Sequence, residues 1–150
     1  MLFNVGKNEA MDLTSGFQIH SPTKFIPWRL RELELEDLLD GKPLRKIRRG
    51  YYTLDCEPLP DLHCILGFHL HRFDVFTELE FSKNMRSFDE LSDNYDCFQR
   101  HFEDVFGRPT TTGTGNEGFP SHEWDLPGAR IVHHVVDRFG PEEHMRITKK

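Results

Sequence analysis

Apolar residues recur every three or four positions in one long segment of the chain, residues 87–106. The residues in this pattern are Phe88, Leu91, Tyr95, Phe98, Phe102, Val105 and Phe106. Their spacing places them on one face of an α-helix. Ser87 and Glu90 form a capping box at its start, and Gly107 followed by Pro109 ends it. The pattern therefore predicts an amphipathic helix with an aromatic face.

Strands are predicted on both sides of this helix, because β-branched and aromatic residues partly alternate there with polar ones. The strands before the helix cover residues 50–54, 63–71 and 75–81, and those after it cover 121–125, 129–139 and 143–148. Upstream, a strand near 25–33 and a short helix over 34–40 are predicted. The short Gly- and Pro-containing links between consecutive strands predict antiparallel meanders.

The two halves of the chain are similar to each other. Residues 34–43 (ELEDLLDGKP) parallel 101–109 (HFEDVFGRP), and residues 65–81 parallel 131–147 as strand, Arg-Phe turn and strand. We therefore predict an α+β fold in one domain, with an antiparallel sheet built from two helix-plus-meander units and the long helix packed on one face. The units are residues 25–83 and 85–150. Chance similarity between two α+β segments is the alternative explanation.

Composition limits the class of protein. Aromatic residues make up 12% of the 150 residues, which is too many for a disordered chain. No apolar run approaches the roughly 18–20 residues of a membrane-spanning helix, and the first residues lack a signal-peptide pattern. We therefore expect a cytoplasmic protein that does not bind membranes. Cys56, Cys64 and Cys97 are too few for a disulfide framework, so we expect reduced thiols.

Charge is unevenly distributed along the chain, whose formal net charge is −6. Basic residues cluster in a predicted surface turn at 42–49, and acidic residues dominate 78–104. The negative total disfavours nucleic acid as a partner. We expect a protein partner that contacts these clusters through Arg45, Arg48, Arg49, Asp89, Asp93 and Asp96. The alternative is that both clusters are ordinary solvated surface.

Nine histidines indicate a different kind of site. His69 and His71 are two residues apart on a predicted strand, so both imidazoles lie on one face of it. His133 and Asp137 share a face of a later strand in the same way. If the two strands are neighbours, the four residues form a metal or catalytic site. The alternative is a solvated sheet face that carries histidines, and we expect no cofactor.

The segment 113–118 reads Gly-Thr-Gly-Asn-Glu-Gly and formally satisfies the pattern G-x-G-x-x-G. Nucleotide binding by that pattern requires a strand before the glycines and a helix after them. Here a helix precedes and a strand follows. The sequence therefore predicts a flexible, exposed connection over residues 110–118, which can serve a partner.

Two Gly-x-Pro segments carry a resemblance to known families. They are Gly107-Arg108-Pro109, followed by Trp124, and Gly41-Lys42-Pro43, followed by Tyr51 and Tyr52. A helix that ends this way before an aromatic strand and a meander resembles the small α+β domains of SmpA/OmlA-type outer-membrane lipoproteins and of β-lactamase-inhibitor-type proteins. The sequence lacks a lipoprotein signal and lipobox cysteine. The resemblance implies an α+β fold and protein binding rather than catalysis.

We therefore predict a bacterial, non-enzymatic module that binds another protein. Toxin-immunity and inhibitor proteins are the classes that its acidic, α+β character matches. The alternative is a metal-binding protein or hydrolase that uses the strand histidines. A homodimer joined through an exposed strand edge is a third hypothesis.

Overall fold

The computed structural model describes residues 11–83, 90–115 and 117–150. The strands in these ranges are β1 (Gly16–Ile19), β2 (Lys24–Pro27), β3 (Leu44–Arg48), β4 (Tyr51–Leu59), β5 (Leu62–His71), β6 (Val75–Ser82), β7 (Thr111–Thr114), β8 (Pro120–Leu126), β9 (Ala129–Asp137) and β10 (Pro141–Lys149). The α-helices are α1 (Glu32–Leu38) and α2 (Leu91–Phe106). The predicted α+β class is confirmed. Neither of these helices is long and apolar enough to cross a membrane.

Eight strands form one antiparallel sheet in the order β3–β4–β5–β6–β10–β9–β8–β7. Each half of the chain supplies four neighbouring strands, and a helix precedes each set of four. The halves meet where β6 pairs with β10, with Glu78 opposite Thr148 and Phe81 opposite Met145. Strands β1 and β2 form a separate hairpin. That the two halves are a sequence repeat stays a prediction.

One face of the sheet, which we call the core face, carries the buried apolar side chains, because side chains alternate between the two faces along each strand. At its centre lie Leu66, Phe68, Leu79, Phe81, Ile131, Met145 and Ile147. The β1–β2 hairpin contacts this face through Phe17, whose ring meets that of Phe81 edge-on at 5.8 Å between centroids. Trp28, just after the hairpin, stacks on Phe76. The hairpin therefore shields one part of the core from water.

Helix α2 contacts the core face through its aromatic residues. Phe102 is fully buried, and its ring centroid lies 4.9 Å from that of Phe81 and 6.1 Å from that of Trp124. Trp124 also donates its indole N–H to the carbonyl oxygen of Gly107 at 2.8 Å. Gly107 has a φ of 81°, which glycine adopts readily, and the helix ends there. The predicted end at Phe106 is confirmed, whereas the predicted capping box at Ser87 lies outside the described residues.

Three local predictions were wrong. The predicted strand over 25–33 runs too far, because α1 begins at Glu32, where the Glu34 carboxylate accepts the backbone N–H of Arg31 at 3.0 Å. The basic segment predicted as a turn is the edge strand β3, and the predicted loop over 110–118 contains the other edge strand, β7. Charged residues in β3 and a glycine in β7 weaken their strand propensity, so pairing with β4 and β8 determines their structure.

Phe102→Ala should lower the free energy of unfolding by about 3–5 kcal/mol, because it removes a fully buried ring that joins α2 to β6 and β8. Phe139→Ala is the control, since Phe139 is 98% exposed. The control should change the free energy of unfolding by less than ~0.5 kcal/mol. Urea denaturation measures both values. Equal losses in the two variants would contradict this description of the core.

Candidate functional site

The opposite face of the sheet is polar, and we call it the polar face. At the centre of this face, the register of the strands places His69 opposite Glu78 and Glu80 opposite Arg146. Both helices and the β1–β2 hairpin have described contacts with core-face residues. Polar-face side chains keep part of their surface exposed, including 35% of Arg146 and 58% of His71. This face is therefore accessible to a partner molecule.

Arg146 is the centre of an ion-pair network on the polar face. Its Nη1 lies 2.9 Å from Glu78 Oε2, and its Nη2 lies 3.6 Å from Glu80 Oε2. His69 donates its Nε2–H to Glu80 Oε1 at 2.8 Å. The hydrogen bond from His69, supported by the charge of Arg146, holds the pKa of Glu80 below its usual value despite partial burial. Glu80 is therefore ionised at neutral pH.

Rings stack on the polar face beside this network. Tyr51 and His69 are parallel within 19°, with centroids 4.6 Å apart, and His71 continues the stack at 6.2 Å from His69. The guanidinium carbon of Arg48 lies 5.5 Å from the centroid of the Tyr51 ring, within cation–π distance. Gly67 leaves room for Tyr51, because a Cβ at position 67 would lie 3.1 Å from Tyr51 Cε1. Neighbours on β3 and β5 thus hold the tyrosine ring in place.

The basic residues predicted to bind a partner have two different surroundings. Arg45 and Arg48 lie opposite polar-face residues of β4, at the edge of the sheet. Arg49 lies in the turn before β4 and forms an ion pair with Asp74 at 3.0 Å. Arg45 and Arg48 therefore extend the polar face to the edge strand.

The acidic residues predicted to bind a partner belong to another surface. Asp93 and Asp96 are exposed on α2, the helix that contacts the core face. Asp89 lies outside the described residues. The ring contacts of α2 are with core-face residues, whereas Arg45 and Arg48 lie on the polar face, so the structure does not place the described acidic residues beside these basic ones.

The four residues predicted as a metal site are not brought together. His69 and His71 lie on β5 and His133 lies on β9, with β6 and β10 between them, so the neighbouring strands that this alternative site requires are not present. His133 is fully buried on the core face, whereas His69 lies on the polar face. Asp137 is exposed at the end of β9. Within the described ranges, no group of three or more His, Cys, Asp or Glu residues is arranged to hold a metal ion.

A buried polar cluster lies between α2 and strands β8–β10, and the sequence interpretation missed it. His133 Nδ1 lies 2.8 Å from Gln99 Oε1, and His133 Nε2 lies 2.6 Å from Glu143 Oε2. The ring of Tyr95 stacks on that of His133 at 3.6 Å, and its hydroxyl donates to the carbonyl oxygen of His133. Burial lowers the pKa of His133 to about 3 and raises the pKa of Glu143 to about 7. Both groups are therefore neutral in mildly acidic solution.

A signal for this cluster was present in the alternation of the strands. His133 shares its face of β9 with Ile131, and Glu143 shares its face of β10 with Met145. Both polar residues thus point toward the core, where each needs a hydrogen-bonding partner. Their adjacency follows from the pairing of β9 with β10, in which His133 lies opposite Met145.

A cavity of about 310 Å³ lies beside the buried cluster. Its lining consists of Leu91, Ser92, Tyr95, Asp96, Phe119, Pro120 and Val135. Tyr95 separates the cavity from His133 by its stacked ring. The lining is mainly apolar, its polar groups are Ser92, Tyr95 and Asp96, and it includes neither His133 nor Glu143.

Comparison with known proteins gives one distant structural similarity. No family model matches the chain, and no curated protein matches it. The crystal structure of a DUF4309 family protein (YjgB) from Bacillus subtilis subsp. subtilis str. 168 is similar with a TM-score of 0.44 and 11% sequence identity. The similarity covers 90% of this chain and 83% of that chain.

Arg146→Met should raise the pKa of Glu80, because it removes a cation that favours the ionised carboxyl group. The lowered pKa of Glu80 contributes stability above its usual pKa of 4.5, and this stability is lost as the pH falls through the folded-state value. The variant should lose part of this contribution. Carbon-13 NMR of the Glu80 carboxyl carbon measures the pKa.

Arg130→Met is the matched control, because Arg130 pairs with Glu123 on the same face. It should leave the titration of Glu80 unchanged. The network described for Arg146 would be incorrect if Arg146→Met also left that titration unchanged.

Proposed function

We propose that this protein is a non-enzymatic module that binds another protein through the polar face of its sheet. The observation that carries the proposal is a row of ordered side chains, one from each of the five neighbouring strands β3, β4, β5, β6 and β10. They are Arg48, Tyr51, His69, Glu80 and Arg146. Tyrosine and arginine are enriched among the residues that contribute most to protein binding. Because contacts within the face already order these side chains, binding a partner costs less conformational entropy.

The proposal includes the finer prediction for the fold, in which α2 packs along the core face. The contacts of Phe102 with Phe81 and of Tyr95 with His133 support that arrangement. It leaves the polar face free for a partner. The resemblance to β-lactamase-inhibitor-type proteins, based on the Gly-x-Pro segments and the aromatic strands, implies protein binding as well.

Charge favours a partner with acidic residues opposite the edge strand β3. Glu78 and Glu80 are engaged within the face by Arg146 and His69. Arg45 and Arg48 extend the face at its edge and are exposed. Complementary charge accelerates association and fixes the orientation of the partner. An immunity or inhibitor protein is the specific form of this proposal, in line with the resemblance of the Gly-x-Pro segments and aromatic strands to β-lactamase-inhibitor-type proteins.

Charge reversal at the sheet edge tests the proposal. Affinity purification from the native host, followed by mass spectrometry, should identify a stoichiometric protein partner. The double variant Arg45→Glu, Arg48→Glu should then weaken binding of the purified partner at least tenfold, or about 1.4 kcal/mol, because it places like charges opposite each other. Isothermal titration calorimetry measures the affinity.

The matched control reverses two exposed charges on α2, in the double variant Asp93→Lys, Asp96→Lys. This control should bind the partner with nearly unchanged affinity. Weakening by the α2 variant alone would assign the interface to the acidic helix and contradict the polar face as the binding surface. Failure to recover any reproducible partner would count against protein binding itself.

A further inference from the structure

We propose that His133 and Glu143 share one proton, and that this proton holds the middle of α2, around Tyr95 and Gln99, against strands β9 and β10. The His133 side chain is 0% exposed and the Glu143 side chain is 8% exposed, with 2.6 Å between Nε2 and Oε2. Two unprotonated atoms at this distance would repel each other in a buried site. The contact therefore requires a proton between them.

Hydrogen bonds around His133 determine where its ring proton lies. Gln99 donates its amide N–H to Glu103 at 2.8 Å, which directs Gln99 Oε1 toward His133 Nδ1. Because Oε1 can only accept, Nδ1 carries a proton and donates it. In the neutral ring, Nε2 is then an acceptor. Protonated Glu143 supplies the matching donor.

The shared proton is connected to α2 by two side chains. Gln99 binds the Nδ1–H of His133, and Tyr95 stacks on the same ring. The Tyr95 hydroxyl donates to the His133 carbonyl oxygen, so His122 Nδ1–H is the donor in its 2.8 Å contact with that hydroxyl. Loss of the proton from Glu143 would place a carboxylate against the Nε2 lone pair and weaken this set of contacts.

Titratable and charged groups face the pair from each neighbouring element. They are Tyr95 and Asp96 of α2, Lys83 after β6 and His122 of β8; His134 of β9 lies on the polar face and acts on His133 through the sheet. Burial, which outweighs the opposing charge of Lys83, raises the pKa of Glu143 from 4.5 to about 7. A raised folded-state pKa contributes stability that is fully present below pH 4.5 and is lost as the pH rises through 7. The attachment of α2 should therefore weaken over this range.

Glu143→Gln tests the proposal, because the glutamine amide donates permanently to His133 Nε2, as protonated Glu143 does. Between pH 4 and pH 8 the unfolding equilibrium constant of the wild type should rise about 100- to 300-fold relative to this variant. Urea denaturation at each pH measures the ratio. Glu142→Gln is the control, because Glu142 lies one residue earlier, on the polar face, and is 49% exposed. The unfolding constants of the wild type and of Glu142→Gln should keep a nearly constant ratio between pH 4 and pH 8.

Carbon-13 NMR of the Glu143 carboxyl carbon in the wild-type protein gives a readout that does not depend on the folding of a variant. Its titration midpoint should lie near 7, and hydrogen exchange of α2 amides should increase over the same pH range relative to Glu143→Gln. A midpoint near 4.5 would overturn the proposal. An unfolding ratio to Glu143→Gln that does not change with pH would overturn it as well.

Discussion

Antiparallel pairing of β6 with β10 is the interaction on which the rest of the structure depends. These strands lie far apart in the chain, so their pairing closes a long loop and joins two four-stranded meanders into one sheet. On the core face, the register places Phe81 opposite Met145, and Phe102 of α2 contacts Phe81. On the polar face, it places Arg146 opposite Glu80. One register therefore determines both the helix contact and the ion-pair network.

The polar groups on the two faces are subject to different physical conditions. Arg146 and its glutamates remain partly exposed, so salt screens their attraction and the net stabilisation from each pair is small. In the proposed function, such groups contribute mainly to recognition, because their charges and rings are ordered before a partner arrives. The His133–Glu143 pair is buried, so its protonation changes the stability of the fold directly. We therefore assign binding to the exposed groups and the coupling of the fold to pH to the buried pair, as proposed above.

The local sequence pattern was sufficient to predict those elements whose structure is determined by neighbouring residues in the chain. The aromatic spacing and Gly107 predicted the end of α2, and alternation predicted β5. Edge strands β3 and β7 were missed because partner strands determine their structure. The positions of the strand histidines were not predictable for a related reason, since strand order is set by the non-local pairing of β6 with β10. Alternation in β9 and β10 would have indicated His133 and Glu143 as inward-facing, although not their hydrogen bond.

Nuclear Overhauser effects between β6 and β10 test the central claim, the register that joins the two halves, most directly. Cross-strand effects should connect Glu80 with Arg146 and Leu79 with Ile147. A shift of one residue would move Arg146 from the polar face to the core face, because side chains alternate along a strand. Effects in that shifted register, or the absence of effects between the two strands, would contradict the account of both the sheet and the polar face.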